Sequence, residues 1–392
     1  MNKEINTIQV KKLSRVSGKQ PVSQKITLIL VFLFCFNSFL DAQATNPPLA
    51  SSGSNTAVKA DYIKGGLKYD LIEKTIFSLH YQKIDSSFTY SATLRQKFPG
   101  DPVGYFLTAN IYQTIMRDYR LNLYEEEFEK YIHRTVEVAE RAVLDNPNAE
   151  NYFLLGASEG YRCLHWFHEG KWLKAIKSVR KCVKMLNMAL EKDPHYIDAI
   201  MGLAIYEYGK SKVKIFGIGL FGDKTDKVIE DFKRVEESSP YMANNAMYML
   251  QLIYFENQEY EKALEYNRKI FANFPGSSVA WYYRGLINQR LGNWDEAEAA
   301  WNELIERVVD FPKPSHGYLV ESHYHLANIA YHRGDKMPAW QHLRQAAHHI
   351  FLYKEKEELE SIVYKFDDLK SDVEKAFNEW DWKELSESRK FE

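Results

Sequence analysis

Three constellations in this chain hold residue types that could do chemistry. Gly217, Gly219 and Gly222 form a G-x-G-x-x-G that follows the apolar stretch 213–216 and precedes a helical pattern from about Asp226. Glycines so spaced let backbone amides approach a pyrophosphate, provided the motif joins a strand of a parallel sheet to a helix. Histidines gather late, at His316, His323, His325, His332, His342, His348 and His349. Imidazole is the commonest metal ligand, but a site needs three or four groups converging at about 2 Å from one point. The third constellation is His165 and His168 around Trp166 and Phe167, followed by an apolar insertion with Phe216, Ile218, Leu220 and Phe221.

None of these meets its own requirement in the surrounding pattern. The glycine motif lies among helical segments, so no cofactor is expected. Along a helix His323 should face a partner helix, His332 the opposite surface, and His348 and His349 different directions. No H-E-x-x-H or paired C-x-x-C is present, and no metal is expected. No G-x-x-x-x-G-K-[ST] occurs, and the carboxylates read mostly as solvated helix faces, so no catalytic residue is assigned. His165 and His168 read as an aromatic helix junction. Cys163 and Cys182 read as buried thiols. The apolar insertion is expected to fill a gap between helices, or else to form an exposed patch for a partner or a membrane surface.

The elements that must position these residues repeat. Tyr260, Ala263 and Ile270 recur 34 residues later as Trp294, Ala297 and Leu304. Gly285, Gly292, Ala297, Trp301 and Leu304 recur 42 residues later as Ala327, Gly334, Ala339, Leu343 and Ala346. Self-similarity at such intervals signals stacked units rather than one globular core. In the clearest unit, 278–309, Trp281, Gly285 and Asn288 share one face of a first helix. Gly292-Asn293 makes the turn, and Ala297, Trp301 and Leu304 line a second helix at spacings of four and three. Pro275 and Pro312 bound the unit, since proline cannot continue a helix. Asn257 replaces the turn glycine in the preceding unit, where asparagine tolerates a left-handed backbone.

These residues resemble the tetratricopeptide repeat family. Trp281, Gly285, Trp294, Ala297, Trp301 and Leu304 follow its pattern, with Arg284 where leucine is usual. Residues 320–351 follow it through Leu326, Ala327, Ala330, Gly334, Ala339, Leu343 and Ala346. The match is loose over 61–240, which contains an unusually long helix at 172–192, and close over 241–353. The resemblance implies an all-α, right-handed solenoid of about six to seven helix pairs. Residues 354–392, with Leu359, Ile362, Phe366, Leu369, Val373 and Phe377 at helical spacing, suit a C-terminal capping helix. It further implies that the first helix of each pair lines a concave groove for a protein or peptide. Carried onto this chain, that groove holds Met247, Gln251, Tyr254, Tyr282, Gln289, Arg290, Tyr324, Asn328, Tyr331 and His332. Tyr282 and Tyr324 stand where carboxylate-clamping members of the family carry lysine, which argues against that role.

Composition narrows the function classes. The chain is 45% hydrophobic and 27% charged, enough to bury a core. Its net charge of −2 includes a basic excess in residues 1–44, so the remainder is more acidic and suits no nucleic acid. A basic leader, an apolar run at 26–40 and Ala42-Gln43-Ala44 read as a signal peptide ending at 44. That run is shorter than the ~20 residues of a membrane span. Residues 45–60 read as a flexible linker. The expectation is an exported, non-enzymatic binding scaffold, periplasmic or in the cell envelope, with no integral span after cleavage. Two alternatives are a glycan-binding protein using the abundant tyrosine and tryptophan, and an enzyme with a site in 155–225. The sequence names neither the partner nor an oligomeric state.

Overall fold

The computed structural model describes residues 66–382, apart from 169, 212–213, 216–217, 220–223, 240 and 362. The signal peptide and linker assigned to residues 1–60 lie outside the described residues.

Fifteen α-helices are described. They run α1 Leu67–His80, α2 Ile84–Lys97, α3 Val103–Tyr119, α4 Glu125–Asp145, α5 Ala149–His168, α6 Trp172–Lys192, α7 Ile197–Ser211 and α8 Thr225–Ser238. The series continues with α9 Ala243–Glu256, α10 Tyr260–Asn273, α11 Ser278–Leu291, α12 Trp294–Val308, α13 His316–Arg333, α14 Lys336–Leu352 and α15 Phe366–Glu379. The first fourteen form seven consecutive pairs, each stacked on the next, making an all-α solenoid.

Burial separates the two members of a pair. The second helices each bury one stripe: α4 buries Phe128, Ile132, Val136 and Ala139, and α6 buries Ala175, Cys182, Leu186 and Ala189. Spacings of three and four give such a stripe. The first helices are buried nearly all round, as in α3 and α9. They form an inner layer enclosed by the outer one.

Turn chemistry follows the repeat. Gly292 and Gly334 end α11 and α13 in the left-handed region, at φ 78° and 91°, where side chains are disfavoured. After α9 the left-handed residue is Gln258 (φ 63°), not Asn257, which stays at φ −77°. Gly285 admits Trp301 of α12: a Cβ there would sit 2.5 Å from the indole Cε2.

Between α7 and α8, Lys214–Ile215 pairs antiparallel with Ile218–Gly219. That is a two-residue hairpin rather than the parallel sheet a dinucleotide motif requires. Gly217, Gly222, Phe216, Leu220 and Phe221 lie outside the described residues.

The C-terminal tail is not one helix. The described residues between Tyr353 and Lys365 are not helical: after a turn at 355–357 they form a strap, and only then does α15 begin. Asn122 N–H donates to Glu357 O (2.9 Å) and Leu359 N–H to Arg120 O (2.8 Å), a bridge to the end of α3. The strap's backbone polar groups are thus satisfied across the molecule instead of along a helix. Leu359 and Val363 pack against the main core. Beyond the strap, Leu369, Val373 and Ala376 of α15 cover Val320, Ala327, Leu343 and Ala346, closing the last repeat.

The stack curls until its beginning meets its later repeats. His80 packs edge-on against Phe274 (4.0 Å between ring centroids), Gln82 Nε2 donates to Gly276 O, and Tyr119 meets Phe311 edge-on at 5.3 Å.

Candidate binding surface

This closure turns part of the concave face into an interior. At its centre Arg120 follows α3 in a left-handed conformation (φ 50°) and is 6% exposed. Its guanidinium Nη1 donates to Glu321 Oε2 of α13 at 2.6 Å. The same group lies 3.7 Å above the Tyr318 ring and 4.4 Å from that of Tyr282. Burial opposes the charge, but Tyr318, Glu321 and Tyr282 together hold Arg120 above its ordinary pKa. Tyr282 donates its hydroxyl to Glu321 Oε1 (2.6 Å), so both carboxylate oxygens are bonded. Burial, then Glu321, pushes the Tyr282 phenol well up. Ser361 of the strap lies 3.2 Å from the Tyr282 hydroxyl and covers it.

The strap is fastened at the N-terminus of α13. Glu358 is buried and accepts from Gly317 N–H at 2.7 Å. Burial raises its pKa to about 7, against the pull of the Gly317 and His316 amides.

The ten residues expected to line a groove separate into three groups. Met247, Gln251, Tyr254 and Tyr282 are buried, which corrects their assignment to an open surface. Gln251 Oε1 accepts from Asn267 of α10 (2.8 Å), and Tyr254 stacks on Tyr266 at 5.6 Å. Both therefore face the second helix of their own pair. Tyr282 does face inward, but Arg120 and the strap cover it. Tyr324 and Asn328 are half-buried; Tyr324 packs in the cluster that α15 closes, and Asn328 bonds back to Tyr324 O. Gln289, Arg290, Tyr331 and His332 form the third group, at the C-terminal ends of α11 and α13. Gln289 is half-buried and accepts from Trp301 Nε1 (3.1 Å); Arg290 and His332 are exposed, with His332 packed on Trp294 at 4.5 Å. Tyr331 stacks on Trp380 at 4.2 Å, and its hydroxyl accepts from Asp381 N–H at 3.0 Å.

Arg120, Glu321, Tyr318 and Ser361 carry no motif and were not found from sequence. One signal was present: Glu321 is a carboxylate within the otherwise apolar inner run 318–321, and such groups are almost never buried unpaired.

In region 155–225, Glu159 is fully buried and holds Arg162 (2.8 Å) and Lys181 (3.0 Å). His165 lies 3.5 Å from Glu129 and 3.9 Å from Glu125. Cys163 and Cys182 are free buried thiols; burial pushes Cys163 up to about 12 and Cys182 well above its usual range. Among the late histidines, His316 meets His349, and His323 meets His342, each pair 3.1 Å apart at Nδ1. Among the described residues no group of three or more potential metal ligands converges. No helix there is long and apolar enough to cross a membrane.

Seven stacked helix pairs with a covered end define an α-solenoid. Residues 279–308, which are α11, its turn and α12, match the tetratricopeptide repeat family model, so that helix pair is a tetratricopeptide repeat. A search of curated proteins found no match. Among solved structures, the C-terminal part of a TPR repeat-containing protein from Cytophaga hutchinsonii is 16% identical, covering 72% of this chain and 96% of that one, with a TM-score of 0.38. A tetratricopeptide repeat protein from Parabacteroides merdae is 13% identical over 79% of this chain and 99% of that one, with a TM-score of 0.35. Yeast Tom70 is 13% identical over 81% and 72%, with a TM-score of 0.38. Proteins of this repeat class are generally scaffolds for protein–protein interaction rather than enzymes.

Proposed function

We propose that the protein is a non-enzymatic scaffold that recruits a protein or peptide partner through the accessible part of its inner face, at Gln289, Arg290, Tyr331 and His332. The observation that carries this reading is an extended segment of the chain already docked beside that band. Trp380 stacks on Tyr331, Trp382 meets Trp340 edge-on at 5.1 Å, and the backbone between them bonds the Tyr331 hydroxyl. Aromatic anchors with backbone hydrogen bonds are how extended peptides are held. An exposed arginine and histidine next to it supply hydrogen-bond donors for a partner.

Export is part of the proposal, resting on the apolar run at 26–40 and the Ala42-Gln43-Ala44 pattern, and it would place the scaffold in a cell envelope. Glycan binding loses support, because stacking on sugars needs open aromatic faces and Tyr254 and Tyr282 are buried.

The test is an in-cell crosslinking pull-down comparing the parent with an Arg290→Ala, His332→Ala double variant. Capture of one protein that the still-helical variant loses supports the reading. Equal capture by both forms, or none by the parent, overturns it.

A further inference from the structure

The outer face of α6 carries a surface that a protein-recruiting groove does not use. Leu173 is 85% exposed, Ile176 47% and Trp172 46%, all within the first two turns. Single exposed apolar residues are ordinary, but three together on one turn mark an interaction site. From 171 to 184 the same helix presents Lys171, Lys174, Lys177, Arg180, Lys181 and Lys184 with no acidic residue, in a chain whose net charge is −2. Lys181 is engaged by Glu140 and Glu159, and Lys174 sits 4.3 Å over the Trp166 ring. Lys177, Arg180 and Lys184 point outward with no ion pair among the described residues. Of the α4 carboxylates, Glu140 is engaged by Lys181.

From this we infer that α6 docks on an anionic phospholipid surface. The apolar tip is convex: Leu173 projects from the helix, so it suits insertion between lipid headgroups better than a rigid protein face, which would need a matching pocket. Tryptophan settles at the boundary between headgroups and acyl chains. Lysine stems lie along apolar surface while their ammonium groups reach phosphate. Lys174, Lys177, Arg180 and Lys184 supply attraction that anionic lipid returns and zwitterionic lipid does not.

The experiment places an environment-sensitive fluorophore on Leu173→Cys in the full chain, with Glu261→Cys on α10 as the distant control. Vesicles of phosphatidylcholine with and without phosphatidylglycerol are titrated in. A blue shift at 173 but not at 261, seen only with phosphatidylglycerol and weakened by salt, is expected. In a Lys174→Gln, Lys177→Gln, Arg180→Gln, Lys184→Gln background the vesicle affinity read at 173 should fall at least about tenfold. The position-specific readout separates α6 from the apolar run at 26–40. No shift at 173 on anionic vesicles overturns the inference. So does an equal shift on pure phosphatidylcholine, or a response to polyglutamate alone, which would mark an acidic protein as the partner.

Discussion

Arg120 and Glu321 stand 201 positions apart and form a buried ion pair. Truncating one partner strands a charge, whereas replacing both removes the desolvation cost of the pair. Arg120→Ala is therefore expected to cost about 3–5 kcal/mol in urea unfolding. Arg120→Met with Glu321→Gln should recover most of it, because no charge remains buried and Tyr282 keeps an acceptor. Asp198 gives a pH test at the same scale. It is buried, accepts from Ser239 Oγ at 2.6 Å, and burial raises its pKa from 3.8 to about 7. Between those values the native chain holds a proton that the unfolded chain has lost. The stability Asp198 contributes is thus full below pH ~4 and lost as pH rises through about 7. Relative to the parent, Asp198→Asn should gain about 2–4 kcal/mol between pH 4 and pH 8. Parallel stability profiles for the two proteins would contradict the burial argument.

The helices were legible because each pair carries its own periodicity. Gly285 and Trp301 encode their contact through spacing within one unit, and the structure brings them together. Gly285→Ala is expected to destabilise by about 1–3 kcal/mol, since indole cannot retreat from a packed core. The strap was not legible. Leu359 and Phe366 have helical spacing, but the backbone of Leu359 bonds Arg120, and no local rule anticipates a partner 239 positions away. Groove residues were misplaced for two reasons. Gln251 and Tyr254 turn toward α10, a register that family geometry alone left open, and Tyr282 is covered by closure. Leu359→Pro removes the N–H that holds the strap to Arg120. Amide exchange at Asn122 should then quicken at least about tenfold without global unfolding, since local opening needs less energy than unfolding the core. Unchanged protection at Asn122 would mean the strap contributes nothing there.

At the scale of the whole molecule, seven pairs curl until the first repeats meet the later ones, and the concave face is partly spent on internal contacts. On the proposed function, recognition falls to the rim at the ends of α11 and α13, where an aromatic segment of the chain already lies on Tyr331. The measurement that addresses this most directly is in-cell photo-crosslinking with a photoreactive residue at His332, beside a control at the exposed Glu265 on the outer face of α10. We expect one protein to be captured from position 332 and not from 265. No capture at 332, or the same capture from both positions, would contradict a scaffold that recruits its partner at this rim.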